Sequence, residues 1–497
     1  MRTLIKYLEE NVKKWPNNVA YVEPEKEITW KELQIKAKNI ASKIIDKKVI
    51  NKAIIIYIEK SIDAIASMLG VLYSGNHYAI LDSKMPEERF DKIYNDLDKT
   101  LILSREKDFK KLKNSYEYID INFESSNISD LDEKIEEIQN NVIDVNPMYI
   151  LFTSGSTGNP KGVVISHKAC ISYFDWLIGE FGYDENTIFG SQTQLYFSMS
   201  LSDIVVSIRT GSKCVLIPKI YFSFPVKLFE FINKYNVNTI YWVPSAFGIL
   251  KKLDVLKELK IDSLKRVLFA GEVMPMKTFN YLKKYYPDIE YANLFGPSET
   301  VDICTFYRVN REFKNDETFP IGHVCSNLNM YILDENNNEA KEGELCVSGS
   351  YIASGYYKNE EKTKSAFMQN PLNDKYIEYI YRTGDIVKYN DKNELIFLSR
   401  KDFQIKHLGY RIELGEIETA LNTIDEINSC CVIYDEEEKQ IVAFYEGDIT
   451  EDKILEFLEM KLQKYMIPNR IIKLDRMVYN SNGKIDRKTL KKEYNKK

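Results

Sequence analysis

Short apolar runs of strand length alternate with helical patterns along most of this chain, and this alternation limits the folds available to it. Ala53–Ile58 and Thr239–Trp242 are runs of strand length, whereas Ser61–Leu72 and Met276–Tyr286 carry apolar residues at helical spacing. Strands that alternate with helices usually build βα units, in which the helices cover a parallel sheet. The pattern therefore predicts an α/β fold.

The pattern changes near residue 400. Beyond it we predict a short helix at Gly415–Leu421, strands at Ser429–Tyr434 and Gln440–Tyr445, and a helix at Asp452–Lys461. The charged sequence Ser-Arg-Lys-Asp at 399–402 suits a hinge better than a buried connection. We therefore expect two domains, a core lobe at 1–401 and a small α+β lobe at 402–497.

Composition excludes several classes of protein. The 497 residues are 44% hydrophobic and 29% charged with a net charge of −6, so no basic surface for nucleic acid is expected. No apolar run approaches the ~20 residues that span a bilayer, so we expect no membrane insertion. The seven cysteines are scattered without a Cys-x-x-Cys motif, which fits reduced thiols and a cytoplasmic location.

A loop of small and hydroxylated residues at 153–162 follows the apolar strand Tyr149–Phe152. Its glycines let backbone N–H groups wrap phosphate oxygens, and its hydroxyls add further donors. It is not a Walker A loop, which needs Gly-Lys-Ser/Thr before a helix, so the loop predicts a nucleotide site of another kind. A Gly/Ser linker is the alternative, but strand patterns flank the loop on both sides. The candidate phosphate ligands are Thr153, Ser154, Gly155, Ser156, Thr157, Gly158 and Lys161.

Three further motifs suit a nucleotide. Residues 293–300, Asn-Leu-Phe-Gly-Pro-Ser-Glu-Thr, contain a tight turn that can hold Phe295 against a purine and present Glu299 to a metal–phosphate. Residues 381–385, Tyr-Arg-Thr-Gly-Asp, place a carboxylate where it can accept hydrogen bonds from ribose hydroxyls. Residues 480–487, Asn-Ser-Asn-Gly-Lys-Ile-Asp-Arg, place Lys484 on a turn of the small lobe.

With these motifs the chain resembles the adenylate-forming superfamily of acyl-CoA synthetases, luciferases and amino-acid adenylation domains of nonribosomal peptide synthetases. It is most similar to the last group and its stand-alone relatives, which include D-alanine–carrier-protein ligases. The resemblance implies a large N-terminal lobe of stacked βα sheets with a distorted barrel, and a small mobile α+β C-terminal lobe. The supporting segments lie at 28–33, 153–162, 293–300, 343–349, 381–385, 409–418, 464–468 and 482–487.

The resemblance also implies ATP and Mg²⁺ as cofactors and assigns catalytic roles. Lys161 would handle the β- and γ-phosphates, Glu299 would help hold the metal, and Thr300 would lie near the α-phosphate. Lys484 would bridge the substrate carboxylate and the α-phosphate, and Asp402 matches the hinge. The remaining nucleotide-binding positions implied by the resemblance are Gly271, Glu272, Asn293, Phe295, Gly296, Asp385, Phe397 and Arg400.

The acyl pocket departs from the family pattern at Ser198. Members that activate α-amino acids carry an Asp there, which pairs with the substrate's α-ammonium, and a buried ammonium without a carboxylate is costly. We therefore expect an acid without an α-amine, or an amino acid whose amine lies elsewhere and pairs with Asp302. A solvent-facing or supporting role is the alternative for Asp302, and we expect Asp203 to face away. The resemblance implies a pocket of Phe197, Ser198, Met199, Ser202, Tyr241, Leu268, Ala270, Leu294, Asp302 and Ile303.

The resemblance implies an AMP-forming acid–thiol ligase that adenylates a small carboxylic acid and loads it on the phosphopantetheine thiol of a separate carrier protein. The alternatives are an acyl-CoA synthetase that uses free coenzyme A, a D-alanine–carrier-protein ligase, and a non-catalytic nucleotide-binding protein. Residues 409–418 and 482–487 favour carrier loading. Because the chain ends soon after Lys484, we expect no carrier domain to follow. His167, which follows the phosphate loop, is expected to be structural.

Overall fold

The computed structural model describes residues 3–112, 116–122, 129–154, 159–479 and 485–495. The chain forms two compact units and passes between them several times, the last time at Lys401 and Asp402. The first unit comprises Met1–Ser83, Thr100–Leu151 and Gly162–Lys401, and the second comprises Lys84–Lys99, Phe152–Lys161 and Asp402–Lys497. Helices and strands are both plentiful in the described ranges, and the predicted α/β fold is confirmed.

The helices of the described residues are α1 (Leu4–Lys14), α2 (Trp30–Asp46), α3 (Ile62–Tyr73), α4 (Glu87–Asp96), α5 (Glu106–Phe109), α6 (Ser129–Asn141), α7 (His167–Phe181), α8 (Met199–Thr210), α9 (Pro225–Lys234), α10 (Pro244–Lys252), α11 (Met276–Tyr285), α12 (Glu360–Ala366), α13 (Leu414–Leu421), α14 (Glu451–Lys461) and α15 (Arg487–Tyr494). No helix in these ranges has the length and apolar character that crossing a membrane requires.

The strands in the same ranges are β1 (Val19–Glu23), β2 (Lys26–Thr29), β3 (Ala53–Tyr57), β4 (His77–Ile80), β5 (Ile102–Ser104), β6 (Tyr118–Asp120), β7 (Pro147–Thr153), β8 (Lys161–Ser166), β9 (Ile188–Ser191), β10 (Lys213–Leu216), β11 (Thr239–Trp242), β12 (Arg266–Phe269), β13 (Glu290–Phe295), β14 (Thr305–Arg308), β15 (His323–Val324), β16 (Leu328–Leu333), β17 (Glu342–Gly349), β18 (Gly355–Tyr356), β19 (Phe367–Gln369), β20 (Tyr379–Tyr389), β21 (Leu395–Arg400), β22 (Gln404–His407), β23 (Tyr410–Glu413), β24 (Ile427–Asp435), β25 (Gln440–Gly447) and β26 (Arg470–Lys473).

Two large sheets contain the predicted βα units. In the described residues, one runs β15-β14-β13-β12-β11-β9-β10-β1-β2 and the other β18-β8-β7-β4-β3-β5-β6. Strands β9, β11, β12 and β13 are neighbours and parallel, so their carboxyl ends lie along one edge of the first sheet. That edge of a parallel sheet is where ligands commonly bind in α/β folds. A third sheet, β16-β17-β20-β19 with β21 paired to β20, is antiparallel.

Local sequence explains where several helices begin. The Thr29 side chain accepts a hydrogen bond from the backbone N–H of Glu32, and the Glu32 carboxylate accepts from the backbone N–H of Thr29, a capping box that starts α2. Ser61 caps α3, and Ser166 caps α7, in each case by accepting from a backbone N–H three residues on. Every residue of α3 is buried, as its apolar composition on all sides predicts.

The second unit holds two elements that the sequence analysis did not predict, and both lie beyond residue 460. β26 pairs in parallel with β25, and α15 forms in the Lys-rich sequence that follows residue 486. Leu490, the buried residue of α15, lies in a small core with Cys431, Phe444 and Met477, and Tyr494 of the same helix packs against that core. The predicted helices and strands between residues 414 and 461 form at nearly the expected positions.

Two buried histidines predict an acid-sensitive fold. Burial lowers the pKa of His77 and of His167 to about 4. The unfolded chain binds these protons near pH 6.5, so between about pH 6.5 and 4 it holds more protons than the folded chain does. The contribution of these histidines to the free energy of unfolding is therefore complete above pH 6.5. It falls as the pH drops, by up to about 3 kcal/mol for each histidine at pH 4.

Urea unfolding at pH 7.5 and 4.5 measures this effect. We expect the double variant His77→Gln, His167→Gln to lose less stability on acidification than the unaltered protein does. His323→Gln is the control because His323 is exposed. An unchanged pH dependence in the double variant would contradict the assignment.

Candidate active site

Two aromatic residues predicted to lie beside an adenine come together in the first unit. Phe295 ends β13 and Phe397 lies on β21, and their ring centroids are 5.7 Å apart. Asn293, two residues before Phe295, is buried, and its Nδ2 donates to the backbone oxygen of Pro320 at 2.7 Å. These residues provide a flat apolar surface next to a fixed amide.

Gly271 and Glu272 follow β12 at the same edge of the sheet. Gly271 has a φ of +87°, a conformation that side chains disfavour, so glycine suits this turn. The Glu272 carboxylate accepts the backbone N–H of Ser245 at 2.8 Å, in the first turn of α10. An acidic group near a helix N-terminus interacts favourably with the helix dipole, so Glu272 fixes the start of α10.

Asp385 and Arg400 form the predicted pair on adjacent antiparallel strands. They face each other across β20 and β21, and the Arg400 guanidinium lies 2.9 Å from the Asp385 carboxylate. Arg400 also donates to the backbone oxygen of Thr383. The carboxylate is buried and held in one orientation, as a group that binds two ribose hydroxyls needs to be.

The turn after β13 carries Glu299 and Thr300. Glu299 is fully buried, and the hydroxyl of Tyr356 on β18 donates to its Oε1 at 2.8 Å. Thr300 is also fully buried, and its hydroxyl donates to the backbone oxygen of Pro297 at 2.9 Å. At Gly296 the chain passes so close to itself that an added Cβ would lie 2.3 Å from Cα of Ile303.

The predicted phosphate loop is described only at its ends. Thr153 ends β7 and Lys161 begins β8, whereas Gly155, Ser156, Thr157 and Gly158 lie outside the described residues. The Ser154 hydroxyl donates to the backbone oxygen of Arg411 at 2.8 Å. The Thr153 Oγ1 is buried and has no hydrogen-bond partner among the described residues, as a ligand for a phosphate oxygen should be.

Lys484 also lies outside the described residues, but the segment that follows it is anchored. The Arg487 guanidinium pairs with Glu418 and stacks on the ring of Phe403, 3.7 Å from its centroid. Phe403 follows the predicted hinge residue Asp402, whose carboxylate accepts the backbone N–H of Gln404 at 3.2 Å. Within the second unit, these contacts connect the residue after the hinge to the segment that carries the lysine motif.

The predicted acyl-pocket residues lie at the carboxyl ends of β11, β12 and β13, in the segments that follow these strands, and at the start of α8. Tyr241 and Leu268 are paired neighbours on β11 and β12, and Leu294 lies on β13. Ser198 directly precedes α8. Phe197 and Ser198 are half-buried. Asp302 and seven other members of the set are buried, namely Met199, Ser202, Tyr241, Leu268, Ala270, Leu294 and Ile303.

Asp302 is buried and accepts hydrogen bonds from four hydroxyls. Oδ2 accepts from Ser202 at 3.0 Å, Tyr241 at 3.0 Å and Tyr173 at 3.1 Å, and Oδ1 accepts from Ser198 at 3.2 Å. Burial raises the pKa of Asp302, and the four hydroxyls oppose that rise because they stabilise the charged form. Asp302 therefore does not face solvent.

A strained turn aims this carboxylate. Val301 has φ +65° and ψ −57°, and the backbone N–H of Asp302 donates to the Thr300 oxygen at 2.7 Å. This is a γ-turn of the rare strained kind, and a β-branched residue at positive φ is a true outlier. Such strain persists where the surroundings enforce it, typically at functional sites.

Two residues of the site were missed by the sequence analysis. Tyr173 on α7 and Tyr356 on β18 donate to Asp302 and Glu299, yet each looks like an ordinary core aromatic in sequence. Asp203, on α8, makes none of the hydrogen bonds to Asp302, and burial raises its pKa to about 7. Within the described ranges, no group of three or more His, Cys, Asp or Glu side chains could hold a metal ion.

Comparison with known proteins places this chain in a family. The sequence profile of the AMP-binding enzymes matches residues 8–357. Zwittermicin A synthase ZmaJ of Bacillus cereus is 32% identical over 98% of this chain and 94% of its own length. Gramicidin S synthase 2 of Brevibacillus brevis is 31% identical over 98% of this chain, which spans only 11% of that longer protein.

Solved structures share the fold at lower identity. An artificially fused adenylation–PCP di-domain, NpsA-ThdA from Klebsiella oxytoca, has a TM-score of 0.80 at 20% identity, covering 95% of this chain and 93% of that one. The Vibrio cholerae adenylation domain AlmE, in complex with glycyl-adenosine-5'-phosphate, has a TM-score of 0.82 at 20% identity, covering 99% and 98%. The chain therefore belongs to the AMP-binding enzyme family, and its relatives are adenylation domains of nonribosomal peptide synthetases.

Proposed function

We propose that this protein uses ATP to adenylate a small carboxylic acid other than a standard α-amino acid, and then transfers the acyl group to the phosphopantetheine thiol of a separate carrier protein. One observation carries the substrate part of the proposal. Ser198 occupies the position of the family's α-ammonium-binding Asp, and its hydroxyl hydrogen-bonds to Asp302 instead. Family membership and the adenylation–PCP relatives support the reaction type and the kind of acceptor.

In the first step, a carboxylate oxygen of the acid attacks the α-phosphorus of ATP, and the bond to pyrophosphate breaks. Both reactants are anionic, so cations must be aimed at the charge that develops between them. Lys484 is assigned to the substrate carboxylate and the α-phosphate, and Lys161 to the departing pyrophosphate. Asp385, held by Arg400, binds the ribose hydroxyls, and Phe295 with Phe397 lies beside the adenine.

Glu299 suits a Mg²⁺ ion that is bound mainly by phosphates. Proteins often hold Mg²⁺ with only one or two carboxylates plus substrate phosphates, so one fixed carboxylate is sufficient. The Tyr356 hydroxyl occupies Oε1 of Glu299 and so orients the carboxylate. When bound, Mg²⁺ neutralises part of the phosphate charge.

In the second step, the carrier's thiolate attacks the acyl carbon, a thioester forms, and AMP leaves with the electrons of the broken acyl–oxygen bond. Residues 409–411 are assigned to guide the thiol, and Asp402 is the proposed hinge between the two steps. The anchoring of Arg487 by Glu418 and Phe403 supports movement of the lysine motif together with the segment after the hinge.

The test is in two stages. ATP–pyrophosphate exchange with a panel of small acids measures adenylation, and mass spectrometry of a phosphopantetheinylated carrier protein measures transfer. We expect exchange with a non-α-amino acid and a carrier mass raised by the acyl group. Steady turnover with free coenzyme A and none with carrier would overturn the choice of acceptor, and strong exchange with only common L-α-amino acids would overturn the choice of substrate.

Removal of the Tyr356 hydroxyl tests the Glu299 assignment. In Tyr356→Phe the buried carboxylate loses a 2.8 Å hydrogen bond, so its orientation toward the metal–nucleotide is less fixed. Loss of such a supporting partner typically weakens metal affinity about 10-fold. We expect the Mg²⁺ concentration for half-maximal exchange to rise by about that factor, and calorimetry to show weaker ATP binding in Mg²⁺ but not without it.

Tyr376→Phe is the matched control, because Tyr376 is 67% exposed. An equal loss of ATP binding with and without Mg²⁺ in Tyr356→Phe would contradict the metal role of Glu299.

A further inference from the structure

The carboxylate of Asp302 is buried without a cation. Its hydrogen-bond partners are all neutral hydroxyls, and among the described residues no Lys, Arg or His pairs with it. A buried charge is costly unless it is paired, and neutral donors compensate it only in part. The charged form of this carboxylate would therefore be stabilised by a cationic group on a ligand.

The two oxygens of this carboxylate are unequal. Oδ2 accepts from three side chains that are themselves buried, Tyr173, Ser202 and Tyr241, so its lone pairs are occupied. Among the residues that the structure describes, Oδ1 accepts from Ser198 alone, and Ser198 is half-buried. Oδ1 is therefore the oxygen that remains available to a ligand.

The open side of Oδ1 continues into a short row of hydroxyls. Ser198 Oγ lies 3.2 Å from Asp302 Oδ1 and 3.4 Å from Ser298 Oγ, and Ser298 is also half-buried. Ser298 directly precedes Glu299, which is assigned to the metal–nucleotide. The row therefore leads from the reaction centre toward the acceptor Oδ1.

The position of Ser198 bears on which carbon of the substrate carries the cation. The family's α-ammonium meets a carboxylate at that position, whereas here the carboxylate lies one hydrogen bond further on, at 3.2 Å. A hydrogen-bond length of about 3 Å corresponds to one or two carbon–carbon bonds along an extended chain. An ammonium that reaches Oδ1 is therefore carried by the β- or γ-carbon.

We propose that the substrate is a small amino acid whose amine is on the β- or γ-carbon, and that its ammonium group binds Oδ1 of Asp302 with Ser198 as a second partner. This inference rests on the proposed adenylation function and names the class of acid. The strained γ-turn at Val301 and the buried hydroxyls of Tyr173, Tyr241 and Ser202 hold the carboxylate in place. Tyr173 is thus a positioning residue, since it acts through Asp302.

The experiment compares acids of equal length that differ only in the amine. One set is β-alanine, propionate, 3-hydroxypropionate and L-alanine; the other is 4-aminobutyrate, butyrate and L-2-aminobutyrate. We expect kcat/KM in ATP–pyrophosphate exchange to favour the β- or γ-amino acid by at least about 100-fold, because a site built around a polar partner rejects analogues that lack it. Calorimetry with the matching acyl-sulfamoyl adenosines should give the same order of affinity.

Variants separate the role of the charge from that of the fold. Asp302→Asn keeps the shape and removes the charge, and should reduce the preference for the amino acid over its hydroxy analogue about 100-fold. Tyr173→Phe keeps the charge and removes one donor; it should raise KM for the amino acid several-fold and leave KM for propionate unchanged. Asp203→Asn is the matched control, a second buried aspartate on α8, and should keep the selectivity ratio.

The outcomes distinguish the two proposals. Exchange with propionate or an α-amino acid in preference to every β- and γ-amino acid would overturn the inference and leave adenylation standing. If Asp302→Asn keeps the full preference for the amino acid over its hydroxy analogue, the inference is likewise overturned and adenylation stands. Exchange with no acid of any kind, together with no affinity for any acyl-sulfamoyl adenosine, would instead contradict the proposed function itself.

Discussion

Gly296→Ala is expected to cost on the order of 4 kcal/mol of folding stability, because the new Cβ has no space. At this position an ideal Cβ lies 2.3 Å from Cα of Ile303 and 2.6 Å from the backbone nitrogen of Cys304. Both neighbours are backbone atoms, and Cys304 is tied to Phe295 by a 2.8 Å hydrogen bond, so they cannot move aside as a side chain would. The turn that carries Glu299 must shift, and nucleotide binding should be lost with it.

Gly248→Ala is the matched control for this change. Gly248 lies in α10, and a Cβ added there meets no atom within 4 Å. Because alanine is the better helix former, this variant should be neutral or more stable by about 0.5–1 kcal/mol. Urea unfolding of both variants measures the difference. A Gly296→Ala protein as stable as Gly248→Ala would show that the close chain crossing after β13 is not as tight as described.

Local sequence predicted those helices and strands of the first unit whose start signals it contains. The pattern at Ser61–Leu72 corresponds to α3 at Ile62–Tyr73, with Ser61 as its cap. The elements beyond residue 460 were missed because their signal is not local. β26 is short and has a charged residue at each end, and Leu490 is the buried residue of α15.

The candidate site shows the same contrast between residues with a local sequence signal and residues without one. Motifs at 293–300 and 381–385 pointed to Glu299, Asp385 and their neighbours. Glu299 lies in the turn that Gly296 and Pro297 mark, whereas Asp385 lies on β20 directly after Gly384, whose φ is +76°. The tyrosine partners of Asp302 and Glu299 could not be predicted, because α7 and β18 approach the site only through the tertiary fold. The hydroxyl of a buried tyrosine such as Tyr356 has no sequence signature that separates it from core packing.

Lys484→Ala is expected to lower adenylation about 10²–10³-fold, the usual loss when one cationic or hydrogen-bonding group aimed at a developing charge is removed. Attack of a carboxylate on the α-phosphorus brings two anions together, and Lys484 is the residue assigned to lie between them. Transfer of the acyl group from a preformed adenylate to the carrier involves no such encounter. We therefore expect ATP–pyrophosphate exchange to fall by that factor while acyl transfer from added adenylate falls less than about 10-fold.

Lys488→Ala provides the control because it removes the same charge from an exposed position on α15. Arg487→Ala adds a finer test, since it removes the ion pair with Glu418 and the stacking on Phe403 but keeps the lysine. If that anchor positions the lysine motif, Arg487→Ala should also lower exchange more than transfer, by a smaller factor than Lys484→Ala. Equal losses in the two half-reactions for Lys484→Ala would mean that this lysine serves both steps, and the assignment of residues 409–411 to the second step would then have to be abandoned.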